Sequence, residues 1–505
     1  MTTPTSRSRA AAGAAEGHQP EARGDSDAEA ENISPSTLGS TPPTPAVAPV
    51  AAASLLKRLR PHRPDSSRMA GHRHLLTGSG VLVIGAGVQA LSGMLFSLIA
   101  ANGDIKANFG NASALFTSVL FVTYLAGLGL PVALARYSAD RSDPSHVIFT
   151  WALMATVVSS AAACALFLGV VDPKAADVLW SWSSVGGPLL FGVIVLGSAF
   201  SLVFDVRCMT MRRWNLVLVR ILLVGVAKVA LIPLFRHSDH RALLLFVYLA
   251  APVAASGFVG VAVLPRITGG RHRLGPMPPT ARSAVRYSLV NYLSTLAYQA
   301  PYFALPVIVL VNVDAATNSS FYVAWGIVAI AFYVPSAIGQ ALLAEGGKDG
   351  SQVRSQVRLA ILLAVGLMGA GTLATFLGKG VVTAAYGPAY HDAARILPAM
   401  MLAGIPWALT SLYLTEVRVM HRHLATVVIT VTLTLAIIVP ALVLVPGHGP
   451  EHGLNGASLS WLLGNVVAAV VAAIATLAGR SRARAKPAER DPVLADPAQG
   501  VPITA

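Results

Sequence analysis

The segment RYSLVNYLSTLAYQAPYFALP, residues 286–306, places polar and aromatic side chains on one helical face. They step by three or four residues and are Ser288, Asn291, Thr295, Tyr298 and Tyr302, with Tyr292 and Gln299 beside them. Amide and phenol groups can replace water around a polar solute, and tyrosine also stacks on flat surfaces. The stripe predicts a helix that lines a water-filled cavity and is kinked by two prolines. The alternative is a buried helix–helix seam held by the same groups.

Two further apolar segments carry polar side chains that we expect to face the same cavity. In residues 78–101 the chief one is Gln89, and in residues 318–343 they lie at near-helical spacing and are Tyr322, Trp325, Tyr333, Ser336 and Gln340. Polar groups in a membrane span are costly and usually face protein or water, which favours a common cavity. Ordinary helix packing is the alternative for residues 78–101, because that segment also contains five glycines.

Two cations lie within the apolar segment 214–235, and they could meet an anionic substrate. Arg220 lies near one end, whereas Lys228 is some 14 residues into the segment. A lysine at the centre of a spanning helix costs about 2.5–3.5 kcal/mol on insertion scales, so its presence needs an explanation. One explanation is a cationic lining for phosphate groups. The others are a carboxylate or carbonyl partner, or an extended side chain that reaches the interface.

These side chains lie in a chain of twelve apolar segments, each long enough for a membrane-spanning helix, which needs about 20 residues. The sequence therefore predicts an all-α integral membrane protein. The predicted spans are 78–101, 112–135, 147–171, 185–206, 214–235, 242–264, 284–310, 318–343, 356–377, 393–416, 424–445 and 453–478. Residues 1–76 are rich in Ala, Pro, Ser, Thr and charge, and this composition predicts a disordered tail.

The distribution of basic residues predicts the orientation of the spans. With the N-terminus in the cytoplasm, the cytoplasmic segments near the membrane hold 26 Lys and Arg, and the opposite side holds 6. Cytoplasmic loops are enriched in Lys and Arg, so this division favours an even number of spans with both termini in the cytoplasm. The chain therefore reads as a multi-pass protein of the cytoplasmic membrane.

Composition argues against several other classes of protein. Only 12% of residues are charged, against about 25% in a typical soluble protein. The net charge of +14 lies in loops beside apolar spans, so it indicates topology and contact with membrane lipids rather than nucleic acid. No Walker loop, HExxH pattern or CxxC pair is present, and no predicted outer loop is long enough for a catalytic lid. We therefore expect neither an enzyme nor a bound metal or cofactor.

Three stretches of the chain resemble the polysaccharide flippases within the multidrug, oligosaccharidyl-lipid and polysaccharide exporter superfamily. They are NFGNASALFTSVLFVTYLAGLGLPVALARYSAD, AAYGPAYHDAARILPAMML and GLNGASLSWLLGNVV, and they occur in the family's order and spacing. The stretch ANGDIKANFG lacks the arginine that is typical of the peptidoglycan-precursor branch. The long N-terminal tail also departs from the family pattern.

The resemblance implies two six-helix lobes around a central cavity that spans 1, 2, 7 and 8 line. It divides the chain into a cytoplasmic tail 1–76, lobes 78–264 and 284–478, a cytoplasmic linker 265–283 and a cytoplasmic tail 479–505. The implied function is the flipping of an undecaprenyl-diphosphate-linked oligosaccharide in a bacterial cytoplasmic membrane by alternating access. Glycosyltransferases or a polymerase of the same pathway are the implied protein partners.

Two other functions stay open at this stage. An exporter of drugs or other small molecules from the same superfamily would favour a carboxylate deep within a span, and none clearly lies there. A membrane scaffold with a degenerate transporter fold is the second alternative, because both tails are unusual. Neither alternative changes the expected fold.

The charge distribution gives a prediction that labelling can check. In a cysteine-free background, Val313→Cys and His448→Cys should react with an impermeant thiol reagent added outside the cell. His272→Cys and Arg484→Cys should react only after the membrane is permeabilised. Labelling of position 272 from outside intact cells would contradict the predicted topology.

Overall fold

The structure is a computed structural model that describes eleven stretches of the chain, and everything below concerns these residues. They are 66–103, 106–130, 143–170, 173–211, 213–232, 240–268, 274–276, 279–345, 350–420, 422–447 and 449–485. Of the tail 1–76 that was predicted to be disordered, residues 1–65 lie outside this part; residues 66–76 are helical, so the prediction was wrong for them. Regular structure in the described residues is helical, which confirms the all-α prediction.

Fifteen α-helices are described. They are α1 Ser66–Gly103, α2 Lys106–Ala126, α3 Asp143–Val170, α4 Pro173–Trp182, α5 Gly186–Thr210, α6 Trp214–Leu231, α7 Arg241–Thr268, α8 Pro279–Asn312, α9 Ala315–Glu345, α10 Gly350–Leu377, α11 Lys379–Tyr386, α12 His391–Leu402, α13 Gly404–Val419, α14 His423–Leu444 and α15 Pro450–Ala485. A short 3₁₀ turn, Pro388–Tyr390, joins α11 to α12.

The helices reproduce the predicted spans. Eleven helical segments are long and apolar enough to cross a membrane, and α12 with α13 forms one of them, Pro388–Arg418. Helix α1 supplies a further apolar stretch, Gly87–Gly103, which corresponds to the first predicted span. The two short helices α4 and α11 lie in connectors. Large apolar side chains are exposed along many of these helices, as contact with lipid requires.

The second span differs from its prediction at both ends. It was expected over residues 112–135, but the helix runs from Lys106 to Ala126. Leu128 and Gly129 then adopt φ angles of 43° and 72°, a left-handed conformation that a right-handed helix cannot contain. The apolar stretch GLGLP hid this turn in the sequence.

Helix pairing repeats between the first and second halves of the chain, which defines two lobes. Helices α1 and α6 pack together in the first lobe, and α8 and α14 pack together in the second. The pairs α5–α7, α3–α5 and α2–α5 recur as α13–α15, α10–α13 and α9–α13. The short helices α4 and α11 also correspond, because each directly follows the third span of its lobe. The two-lobe fold is therefore an internal repeat of six spans.

The turns that join the fourth to the fifth span and the tenth to the eleventh support the same repeat. Met211 and Met420 end their helices with φ and ψ of −83° and 4°, and of −78° and 7°. The amide of Arg213 then donates to the carbonyl of Cys208 at 2.8 Å, and that of Arg422 donates to Val417 at 3.1 Å. Equivalent backbone geometry 209 residues apart shows that the lobes match at the level of individual turns.

Glycines allow the closest helix contacts within the first lobe. A Cβ atom on Gly257 of α7 would lie 1.9 Å from the carbonyl oxygen of Gly197 on α5. By contrast, a Cβ on Gly326 of α9 would meet nothing within 4 Å. Helices in a membrane approach this closely only where small residues meet, so Gly257 fixes the distance between α5 and α7.

We expect Gly257→Ala to destabilise the protein, whereas Gly326→Ala should be close to neutral. Inserting a methyl group into a well-packed contact costs about 1–3 kcal/mol, because backbone must move to make room. Thermal unfolding of both purified variants in detergent measures the difference. Equal midpoints for Gly257→Ala and the unmodified protein would show that the α5–α7 contact is looser than described.

Candidate functional site

The predicted stripe on α8 packs into the interior of the second lobe. The ring centroid of Tyr302 lies 4.5 Å from that of Trp325 on α9. The Tyr298 ring lies 5.0 Å from Trp407 on α13, and Tyr298 also hydrogen-bonds to Ser411. Three of the predicted site residues, Tyr298, Tyr302 and Trp325, therefore come together.

They belong to a larger group, which we call the aromatic cluster: Tyr298, Tyr302, Phe321, Trp325, Phe332, Trp407 and Trp461. The Trp461 ring on α15 lies 4.7 Å from Trp325, and Phe332 stacks on Trp407 at 5.3 Å. Sequence reasoning missed Trp407 and Trp461, because each stands alone in an apolar span without a polar stripe around it. Trp461 does lie within GLNGASLSWLLGNVV, one of the stretches that carry the resemblance.

The aromatic cluster contains two unused hydrogen-bond donors. The indole nitrogens of Trp407 and Trp461 are buried and have no hydrogen-bond partner among the described residues. A buried donor without a partner costs about 1–3 kcal/mol. The cluster therefore combines flat faces with N–H groups that can serve an oxygen acceptor.

Other members of the α8 stripe contact the first lobe. Gln299 hydrogen-bonds to Tyr124 near the end of α2. Two turns earlier on the same side, the hydroxyl of Tyr292 donates to the carbonyl of Leu125 at 2.5 Å. Thr295 is half-buried between these positions. The helix α8 thus faces both lobes: Tyr298 and Tyr302 contact its own lobe, and Tyr292 and Gln299 contact the other.

Arg220 forms an ion pair with Asp205 in the first lobe. Its Nε donates to Oδ1 of Asp205 at 2.7 Å, and a second guanidinium nitrogen donates to Oδ2 of the same carboxylate. Its Nη1 also donates to Ser256 on α7 at 3.2 Å. Of the explanations that the sequence left open for Arg220, the structure therefore shows a carboxylate partner, held in a bidentate ion pair.

Lys228 lies about two turns further along the same helix α6, and no carboxylate partner occurs for it among the described residues. Its side chain is 5% exposed, and its Nζ lies 5.1 Å from the centroid of the Phe116 ring on α2. A cation over an aromatic face gains about 2 kcal/mol or more when desolvated. This contact offsets only part of the cost of burying the charge.

Hydroxyl groups surround the interior of the first lobe. Buried serines and threonines line α2, α3 and α5, and they are Ser113, Thr117, Ser118, Thr123, Thr150, Thr156, Ser159, Ser160, Ser198 and Ser201. Several use their hydroxyl on a backbone carbonyl, as Ser159 does with Ala126 at 2.6 Å. The oxygens of Thr123 and Ser160 have no partner among the described residues. Buried hydroxyls are as frequent in the second lobe, so the difference between the lobes lies elsewhere: the first contains the buried Lys228, and the second contains the aromatic cluster.

The remaining predicted site residues are placed less fully. Gln89 lies on α1 with its side chain exposed. Asn291 and Gln340 lie on α8 and α9, but their side chains are outside the described part, so the prediction for them stays a prediction. No group of three or more His, Cys, Asp or Glu that would hold a metal ion occurs among the described residues.

No protein-family profile matches this chain, and no curated protein matches it by sequence. Solved structures do match it by fold. One is a multidrug resistance transporter of the MATE family, of the MOP superfamily, in an inward-facing conformation. The TM-score is 0.60 at 16% identity, over 79% of this chain and 95% of that one.

Two further structures show the same architecture. An outward-facing MATE transporter of the MOP superfamily gives a TM-score of 0.56 at 16% identity, over 82% of this chain and 96% of that one. A MOP superfamily transporter from Pyrococcus furiosus, described by the reverse polarity of its binding pocket, gives 0.55 at 15% identity with the same coverage. The chain thus has the two-lobe fold of these transporters and is a multi-pass membrane protein.

The ion pair between Asp205 and Arg220 should be structural. We expect Asp205→Asn to lower the free energy of unfolding by about 3 kcal/mol, because it leaves a mostly buried guanidinium without its counter-charge. The double variant Asp205→Asn with Arg220→Met should recover much of that loss. As a matched control, Asp392→Asn removes a carboxylate that lies 3.7 Å from Arg395 and is more exposed than Asp205, and it should cost less than about 1 kcal/mol.

Thermal or denaturant unfolding in detergent measures this cycle. If Arg220→Met alone were neutral and Asp205→Asn cost no more than Asp392→Asn, the pair would have no structural role. Arg220 would then be available to a ligand.

Proposed function

We propose that this protein is a MOP-superfamily transporter that flips a lipid-linked oligosaccharide, carried on undecaprenyl diphosphate, across a bacterial cytoplasmic membrane. The observation that carries the proposal is the chemical difference between the lobes. Lys228, a buried cation with no carboxylate partner among the described residues, lies in the first lobe, and the aromatic cluster lies in the second. A diphosphate joined to sugars has the two matching parts.

The cation accounts for the diphosphate part of the substrate. Lys228 is held among hydroxyl-bearing helices and has only the Phe116 ring as a described counterpart. An ammonium buried in this way gains more from a phosphate oxygen than an exposed ammonium does, because water does not compete. Arg220 would act indirectly, since its guanidinium already binds Asp205.

The aromatic cluster accounts for the sugar part. Tyrosine and tryptophan combine a flat apolar face with a polar group, which suits the apolar face and the hydroxyls of a sugar ring. The unused indole donors of Trp407 and Trp461 add directional contacts to oxygen. The predicted residues Gln89, Asn291, Thr295, Gln299 and Gln340 would complete the polar lining of the cavity between the lobes.

A small-molecule exporter of the same superfamily is the second candidate. It is supported by the similarity of the fold to that of a multidrug transporter. A cationic drug would need a free carboxylate in the interior. Asp205 is bound to Arg220, so the described part of the first lobe offers a cation instead.

A scaffold without transport activity is the third candidate. The burial of Lys228 without a carboxylate partner among the described residues argues against a scaffold, because a scaffold gains nothing from the cost of burying that charge.

The proposal places the protein in a pathway of cell-surface polysaccharide synthesis. Glycosyltransferases that build the lipid-linked oligosaccharide would supply the substrate, and a polymerase would use the flipped product. We propose that both termini are cytoplasmic, as the charge distribution predicts.

Lys228 gives the direct test. We expect Lys228→Ala to fold normally and to slow flipping about 10- to 100-fold, because one charge-assisted contact contributes about 1.5–3 kcal/mol. Lys228→Arg should retain part of the rate. The measurement is flipping of an undecaprenyl-diphosphate oligosaccharide in reconstituted vesicles. Lys379→Ala is the matched control, because Lys379 also lies over an aromatic ring, 5.5 Å from Phe376, but is exposed.

Two outcomes would contradict the proposal. Unchanged flipping by Lys228→Ala would remove the role of the cation. Efflux of a cationic dye by the unmodified protein, without flipping of the lipid-linked sugar, would favour the small-molecule exporter.

A further inference from the structure

The two lobes meet tightly at one end of the bundle, where α2 and α9 both begin. A Cβ atom on Gly110 of α2 would lie 1.7 Å from the carbonyl oxygen of Ala315 and 3.1 Å from the amide of Ser319, both on α9. No side chain larger than hydrogen fits there without a shift of backbone. The approach of one lobe to the other at this point therefore depends on glycine.

A buried hydrogen bond joins the same two helices. The side-chain Nδ2 of Asn318 donates to the carbonyl oxygen of Gly110 at 2.8 Å, and it lies 3.5 Å from Oγ of Ser113. Asn318 is fully buried. The glycine thus provides both the space for the contact and the acceptor for its hydrogen bond.

Further contacts between the lobes lie at this same end. The hydroxyls of Ser97 on α1 and Tyr386 on α11 are 3.0 Å apart, and Nδ2 of Asn102 donates to the carbonyl of Ala385 at 2.9 Å. Burial raises the pKa of Tyr386, so its phenol stays neutral and suited to a hydrogen bond. The Nζ of Lys106 lies 5.4 Å from the centroid of the Tyr390 ring. On the predicted topology this is the external end.

The closed end is not fully satisfied in its hydrogen bonds. The Oδ1 of Asn318 and the hydroxyl of Ser320 are buried and have no partner among the described residues. Polar groups left in this way disfavour the closed arrangement relative to one in which water reaches them. The contact is therefore suited to opening and closing rather than to permanent association.

We propose that Gly110 and Asn318 form a latch that holds this end of the two lobes closed. Opening of the latch distinguishes the outward-facing state from the inward-facing state. The proposal rests on the alternating-access part of the proposed function but not on the substrate.

Distances between labels test the latch without any substrate. Cys164→Ala and Cys208→Ala remove the free cysteines. Asp177→Cys on α4 and Val381→Cys on α11 then place spin labels at exposed positions of the two lobes at this end. We expect double electron–electron resonance in lipid nanodiscs to show one major short distance in the unmodified latch.

Gly110→Ala and Asn318→Ala should each increase the ratio of the long-distance to the short-distance population. Loss of one hydrogen bond corresponds to about a 2- to 10-fold change in that ratio for Asn318→Ala. Gly110→Ala should have at least as large an effect, because its methyl group excludes the closed contact. Gly326→Ala, at a position with nothing within 4 Å of an added Cβ, and Asn312→Ala, whose amide donates to Ile308 of its own helix at 2.9 Å, are matched controls.

An unchanged distance distribution in Asn318→Ala would overturn the proposal, and so would an equal shift in the two controls. If Gly110→Ala fails to fold, Asn318→Ala decides the question alone. A normal latch response together with absent flipping would instead reject the proposed substrate, so the two failures are distinguishable.

Discussion

A bilayer contains no water to satisfy backbone polar groups, and the rest of the architecture depends on this constraint. Each crossing segment must be a helix, and lipid-facing side chains must be apolar. Polar chemistry is therefore confined to surfaces that protein encloses. In this chain those surfaces are the interiors of the two lobes and the seam between them.

The internal repeat makes the difference between the lobes informative. The same helix pairs and the same turns recur in both halves, so backbone geometry does not account for the difference. Side chains do. The buried Lys228 lies in one lobe, whereas Trp407 and Trp461 lie in the other. A symmetric frame with two different linings suits a substrate with two chemically different ends.

Sequence reasoning predicted the helices well, because span length and charge alternation report directly on the bilayer. It also placed Tyr298, Tyr302 and Trp325 together, since spacing along a helix fixes which side chains share a face. It left the role of Arg220 open, because the carboxylate that binds it lies 15 residues earlier on another helix. Trp407 and the Gly110–Asn318 contact were missed for the same reason. Their significance arises only when distant segments pack together.

The central claim is that the first lobe binds an anionic group through Lys228 while the second binds sugar through the aromatic cluster. An experimental structure in nanodiscs with undecaprenyl-diphosphate oligosaccharide tests it most directly. We expect a phosphate oxygen within hydrogen-bonding distance of the Lys228 Nζ and a sugar ring in contact with Tyr302 or Trp407. Lys228 bound instead to a protein carboxylate, with the diphosphate elsewhere, would contradict the account.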